Sequence, residues 1–277
     1  LAIVAILKNE APYIKEWIDY HLLAGVEHFY LYDNESEDNL KEVLQPYIAS
    51  GVVEYITFPG KNMQNAAYMD AIQKHRFDCR YIALIDADEF IFPKSDKSIK
   101  DVLHEILDGN RQFCSLAVNW RCFGSSNLDK AEPEKGVTDR FKMRSQDTHT
   151  QNTHVKTICN PRCVDNISIP HFAEYFIGQY ACNENGGIVL GAFNEPSLSN
   201  KIVINHYFTK SREEYAAKRS RGRSDTPDAP PKNVDVSNFH EIFEYLNEIF
   251  DDGIVRYRDK LRSHDTHTHK GRLKIRN

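Results

Sequence analysis

Tyr81-Ile-Ala-Leu-Ile-Asp-Ala-Asp-Glu-Phe90 carries the reading of the whole chain. An apolar run enters Asp86-Ala-Asp88 and resumes at Phe90-Ile-Phe92. A short apolar run with polar bounds reads as a fully buried strand of a parallel sheet. Two carboxylates at the carboxyl end of such a strand lie where open α/β sheets bind ligands. Their oxygens suit Mg²⁺ or Mn²⁺ held together with a substrate phosphate. A bare D-x-D is more often a solvated acidic turn. The apolar flanks bring the metal reading level with that one, because carboxylates beside a core are costly unless paired or metal-bound.

The residues before this stretch repeat one pattern. Leu1–Leu7, Glu27–Tyr32 and Val52–Phe58 read as strands. Helices are expected from Pro12 to about Ala24, from a Ser36 N-cap to about Gln45, and from Met63 to His75. Strands alternating with helices argue a doubly wound, mostly parallel α/β sheet with right-handed crossovers. Asn9-Glu10, Asp33-Asn34 and Asp86-Ala-Asp88 each follow a strand, so all three gather on the carboxyl edge. There is no G-x-G-x-x-G after the first strand and no P-loop.

Beyond Phe92 the pattern changes. A helix over Ser98–Leu107 and a strand over Phe113–Trp120 precede a polar stretch, Asn127–Thr153, expected as a partly flexible lid. Short strands follow at His154–Cys159 and Ile167–Ile169, then a loop over 181–200 and a strand over Lys201–Phe208. Ser211 is placed to cap a helix reaching about Arg221. The organisation read from this is a domain over 1–225 and a helical segment over 226–277, with helices near Asn238–Phe250 and Val255–Leu261 and a basic tail.

At 277 residues and net charge -5, the chain offers no global basic field for nucleic acid. No apolar run approaches the ~18 residues of a membrane span, and no signal peptide is visible, although Leu1 leaves room for an upstream segment. The six cysteines form no C-x-x-C pair and read as free thiols. Asn34-Glu-Ser36 and Asn166-Ile-Ser168 are glycosylation sequons, and a glycan on Asn34 would block the expected site; this favours the cytoplasm.

Several pieces together resemble GT-A-fold glycosyltransferases, most closely the family 92 type with bacterial family-2-like relatives. They are Lys8-Asn9-Glu10 with Trp17-Ile-Asp-Tyr-His21, Tyr32-Asp-Asn-Glu-Ser36, Asp86-Ala-Asp-Glu-Phe90, and His206-Tyr-Phe-Thr-Lys-Ser211 followed by Glu213-Glu214-Tyr215 and Lys218. Gln64 with Ala67-Tyr68 and Trp120-Arg-Cys-Phe-Gly-Ser125 add weaker matches.

The resemblance implies a metal-dependent, inverting hexosyltransferase using a UDP-sugar, with galactose the first expectation and N-acetylglucosamine or glucose next. By the same resemblance Asn9, Glu10, Asp33 and Asn34 line the base and ribose, and Gln64 contacts the donor. Asp86, Asp88 and His206 hold Mn²⁺ or Mg²⁺, Lys156 meets the diphosphate, and Trp120 with Phe123-Gly124-Ser125 walls the sugar or acceptor. Glu89 and Glu174 are the candidate bases, neither fixed by a motif. The acceptor is expected to be a glycan or glycolipid in surface polysaccharide or lipopolysaccharide synthesis, at the inner membrane face.

Each residue also has a plainer reading. Asn9-Glu10 can cap a helix, Asp33-Asn34 can form a turn, and His206 and Trp120 can sit in the core. His264, His267 and His269 read as a solvated tail segment, and Lys270, Arg272, Lys274 and Arg276 could attract anionic lipid weakly. A nucleotidyltransferase would want a glycine- and arginine-rich loop in place of Lys8-Asn-Glu-Ala-Pro12. A non-catalytic nucleotide-sugar-binding protein is the remaining alternative.

Overall fold

The computed structural model describes residues 1–220 and 235–257. The first apolar runs form β1 (Ala2–Leu7), β2 (His28–Asp33), β3 (Val53–Thr57) and β4 (Ile82–Leu84). Between them lie α1 (Ala11–Leu23), α2 (Leu40–Ala49) and α3 (Gln64–Lys74). The strands stand in the order β4-β1-β2-β3, all parallel, with Ala2 opposite both His28 and Ile82 and Leu7 opposite Asp33. Ile3, Ala5 and Leu7 pack with Ile14, Trp17 and Leu40 on one face, while Ala2 and Val4 pack with Ala67, Tyr68 and Ile72 on the other. Burial on both faces is why these strands read as continuous apolar runs.

The second half crosses the same sheet. It comprises β5 (Glu89–Pro93), α4 (Ile99–Leu107), β6 (Phe113–Cys122), α5 (Val137–Arg140), β7 (Met143–Arg144), β8 (Val155–Cys159), β9 (Val164–Ile169) and β10 (Phe172–Tyr175). Then come β11 (Tyr180–Cys182), β12 (Ile188–Val189), β13 (Ile202–His206) and α6 (Arg212–Ser220). Strand β8 lies antiparallel between β4 and β6, so the expected GT-A sheet is mixed on this side and parallel on the other. Strand β13 pairs with β5 antiparallel and with β6 parallel, setting His206 opposite both Glu89 and Cys122. The six cysteines are free.

Three expectations change. Helix α2 starts at Leu40, not after Ser36, because Ser36 and Asp38 are used across the turn: Asn9 N–H donates to Ser36 Oγ and Ala11 N–H to Asp38 Oδ2. The stretch 127–153 is no lid. Glu16 accepts from the Val137 and Thr138 amides, and Arg140 clasps Glu214 with two bonds of 2.8 and 2.9 Å.

The helix expected over Asn238–Phe250 is also cut short, with α7 (Phe239–Ile242) followed by β14 (Ile249–Phe250), which pairs with β7, whereas the one expected from Val255 is helical over 255–257. Asp251 there accepts from Arg121 and Arg144, two side chains almost fully buried. Charge pairing at Asp251 thus outweighs helical propensity there, and the segment is anchored beyond it by the buried Ile254 and Tyr257. The expected boundary at 225 and the histidine and basic residues of the tail lie outside the described residues.

The Arg140–Glu214 pair is buried on both sides. Burial alone would raise the Glu214 pKa, but bonds from Arg140 and Ser211 outweigh it and bring it to about 2. A folded pKa below the unfolded value of about 4.3 stabilises the fold above that pH. This contribution is lost as pH falls through 2. Glu214→Gln should therefore cost about 3–5 kcal/mol in urea unfolding near pH 7. The difference from wild type should persist to about pH 5 and shrink between about pH 4 and 2.

Candidate active site

The parallel register brings the three polar pairs to one edge. Asn9 takes φ of 56°, a left-handed conformation asparagine tolerates. Its carbonyl side-chain oxygen accepts from Glu37 N–H at 2.7 Å, while Asn34 N–H donates to Leu7 O at 2.8 Å. The loops after β1 and β2 are therefore clasped together. Asp33 is buried; its carboxylate accepts from Ser36 N–H and, at 2.6 Å, from the Tyr55 hydroxyl. Glu10, also buried, lies 4.0 Å from the Lys210 ammonium, which sits 4.1 Å from the centre of the Tyr13 ring. Asn34 differs from expectation: its amide donates to the Phe58 and Gly60 carbonyls and serves the loop.

Asp86 and Asp88 occupy the turn between β4 and β5. Glu89 closes it, its carboxylate accepting from Asp86 N–H at 2.9 Å. Asp86 faces inward: Gln64 and Tyr68 donate to Oδ1 at 2.5 and 3.0 Å, and Lys156 to Oδ2 at 3.0 Å. Asp88 faces the other way. Lys218 of α6 donates to its Oδ2, and His206 Nε2 lies 3.7 Å from Oδ1. Burial opposes ionisation of Asp88, but Lys218, His206 and Lys210 outweigh it and hold its pKa well below the usual carboxylate range. Trp120 packs 4.1 Å from His206, stacks on His154 at 4.8 Å and meets His171 at 5.0 Å.

This geometry revises several assignments. Lys156, 1% exposed and 3.7 Å from Glu89, is an internal counter-ion and cannot reach a diphosphate, whereas Lys218 is 34% exposed. Glu89 is fully buried, which removes it as a base for an acceptor in solvent. Glu174 sits on the exposed outer side of the β9–β10 hairpin, accepting from Asn166. Phe123 and Ser125 are core residues, and a Cβ on Gly124 would lie 2.5 Å from Asn247, so this turn seats the last segment and not a sugar.

The expected three-ligand metal set also divides. Among the described residues no group of three or more His, Cys, Asp or Glu side chains is arranged to hold a metal. Asp86 is engaged by Lys156, while Asp88 and His206 face one another as an oxygen–nitrogen pair that fits Mn²⁺ or Mg²⁺ when a substrate supplies further oxygens. Tyr68 belongs to a weaker motif that assigns it no role, although it stands four residues after Gln64 on the same helical face. Lys218 was part of a motif but had no role, because only the α6 packing aims it at Asp88.

The profile of glycosyltransferase family 92 matches residues 4–227. The chain belongs to glycosyltransferase family 92. A family 92 protein of Ricinus communis is 28% identical over 210 residues, 75% of this chain and 35% of that protein. One of Oryza sativa is 28% identical over 210 residues, 75% of this chain and 33% of that protein. This family 92 chain thus spans about a third of the length of these relatives. Among solved structures, S. aureus TarS in complex with UDP-GlcNAc aligns with a TM-score of 0.39 and 12% identity, over 58% of this chain and 45% of that one.

Removing the Lys156 ammonium leaves Asp86 and Glu89 facing a buried gap. Lys156→Met should lower stability by about 3–5 kcal/mol, read by urea unfolding. An unchanged midpoint would contradict the counter-ion role.

Proposed function

We propose that this family 92 chain transfers a sugar from a UDP-sugar to a hydroxyl of a glycan or glycolipid. Asp88 carries the reading: a buried carboxylate at the carboxyl edge of the parallel strands, shared by His206 and Lys218. Asn9, Glu10 and Asp33 form the polar floor for the base and ribose at the ends of β1 and β2. Gln64 reaches the donor side through Asp86.

A divalent ion held by Asp88 and His206 would neutralise charge gathering on the departing diphosphate. Lys218 and Lys210 bring further positive charge to the same place, Lys210 also acting on Asp88 through space. The wall beside His206 is Trp120, an aromatic surface for the transferred sugar. Galactose is the first choice of sugar, and in-line displacement with inversion the expected course. Surface-polysaccharide or lipopolysaccharide synthesis on the cytoplasmic side is the proposed setting. It is supported by the Asn34 amide, which two carbonyls hold and which a glycan would displace. Among the described residues no helix is long and apolar enough to cross a membrane.

The test is UDP release from a panel of UDP-sugars, with and without Mn²⁺. Wild type should turn over one donor and depend on the metal, and Asp88→Asn should lose about 100-fold or more. Metal-independent behaviour with no UDP binding would sink the assignment. Lys218→Met should lower turnover by about 10²-fold and, because it leaves the buried Asp88 without its ammonium partner, lower the urea midpoint as well; a lowered midpoint with turnover retained would make the contact structural alone.

A further inference from the structure

The site as built lacks an evident base. Glu89 is sealed in the turn, and Glu174 is on the outer side of its hairpin. Other acids of this half are committed as well. Glu184 accepts from the amides of Asn200, Lys201 and Ile202, and Asp147 pairs with Arg121 and Arg144. His171, in the same half and in contact with Trp120, is a titratable group not committed in this way.

His171 lies in the turn joining β9 to β10. Its Nδ1 is 3.1 Å from the Val155 carbonyl oxygen. A carbonyl only accepts, so Nδ1 carries the proton and Nε2 the lone pair. Nε2 has no hydrogen-bond partner among the described residues and is not among the buried, unpaired atoms. Burial and the Lys156 ammonium hold the imidazole pKa down to about 4 against the opposing pull of Asp86 and the Val155 carbonyl, with His154 adding to the lowering. The ring is therefore neutral near pH 7.

Its placement relative to the leaving group is the second observation. The Trp120 indole meets His206 at 4.1 Å and His171 at 5.0 Å, and no ring contact joins the two histidines among the described residues. His206, beside Asp88, and His171 thus both border the Trp120 ring, on which His154 stacks. A sugar seated beside this cluster with its leaving group at Asp88 and His206 would bring its acceptor within the reach of His171.

We propose that His171 Nε2 is the general base that deprotonates the acceptor hydroxyl; this rests on the glycosyl-transfer reading above. The acceptor O–H proton passes to Nε2 as the acceptor oxygen bonds to the anomeric carbon. The bond from that carbon to the diphosphate oxygen breaks, and its electron pair leaves with UDP. The same step explains why no carboxylate is needed at the acceptor side.

The experiment compares wild type, His171→Gln and His171→Ala with the donor and acceptor that wild type uses, alongside UDP affinity by calorimetry. The expected result is a fall in kcat of about 10²–10⁴-fold, an unchanged UDP affinity, and partial recovery of His171→Ala by added imidazole. Retained kcat in an active background overturns the base assignment alone. So does a loss matched by lost UDP affinity without imidazole rescue. A wild type that neither binds UDP nor releases it overturns the transfer reading, and this assignment with it.

Discussion

A buried ammonium between two carboxylates sets the shape of the carboxyl edge of the sheet. Lys156 has lost its water, which favours its neutral form, yet Asp86 and Glu89 hold it charged more strongly. Two negative charges against one positive cannot all persist in such a place. The imbalance is resolved at Glu89. Its burial raises its pKa well above the usual range, and the nearby aspartates add to that over the opposing pull of Lys156. Glu89 is thus pushed toward its protonated form and closes the turn, Asp86 pairs with Lys156, and the buried Asp88 turns to His206 and Lys218. One residue deep in the sheet therefore gives the two aspartates of the pair different partners.

Strand β13 then brings the second half of the chain to that carboxylate. Its register against β5 sets His206 beside the turn, and the residues that follow turn into α6. Ser211 and Glu214 cap α6 reciprocally, each receiving the other's backbone N–H. Glu214 is also the carboxylate clasped by Arg140 and by the Tyr13 hydroxyl. Lys218, one turn further along, reaches Asp88 because that first turn is fixed at both ends.

The parallel half of the sheet was legible because β1, β2 and β4 are apolar on both faces and the polar pairs Asn9-Glu10, Asp33-Asn34 and Asp86-Ala-Asp88 stand at their ends. That regularity survived in the structure to within a residue or two at most strand ends. Side-chain direction was not legible in the same way. Asp86 and Asp88 look equivalent in sequence, and only the burial of Lys156 on one side and of His206 on the other separates them. Lys156 itself reads as a lone cation in a strand, with nothing nearby to tell an internal counter-ion from a phosphate ligand. The polar stretch 127–153 misled because its anchors, Glu16 and Glu214, are supplied from distant parts of the chain. His171 was passed over for a similar reason: its tautomer depends on a carbonyl sixteen residues earlier.

The last described segment bears on where the folded unit ends. Family similarity stops at residue 227, but Ile254 and Tyr257 belong to the main core, and Arg256 donates to the Pro93 and Ser95 carbonyls at the end of β5. Arg121 and Arg144 depend on Asp251 for a buried counter-charge. A family border drawn by likeness and a border drawn by burial therefore fall in different places. The stretch past the matched region is thus tied to the folded unit electrostatically: loss of the Asp251 carboxylate would strip two buried guanidinium groups of a shared counter-charge at once.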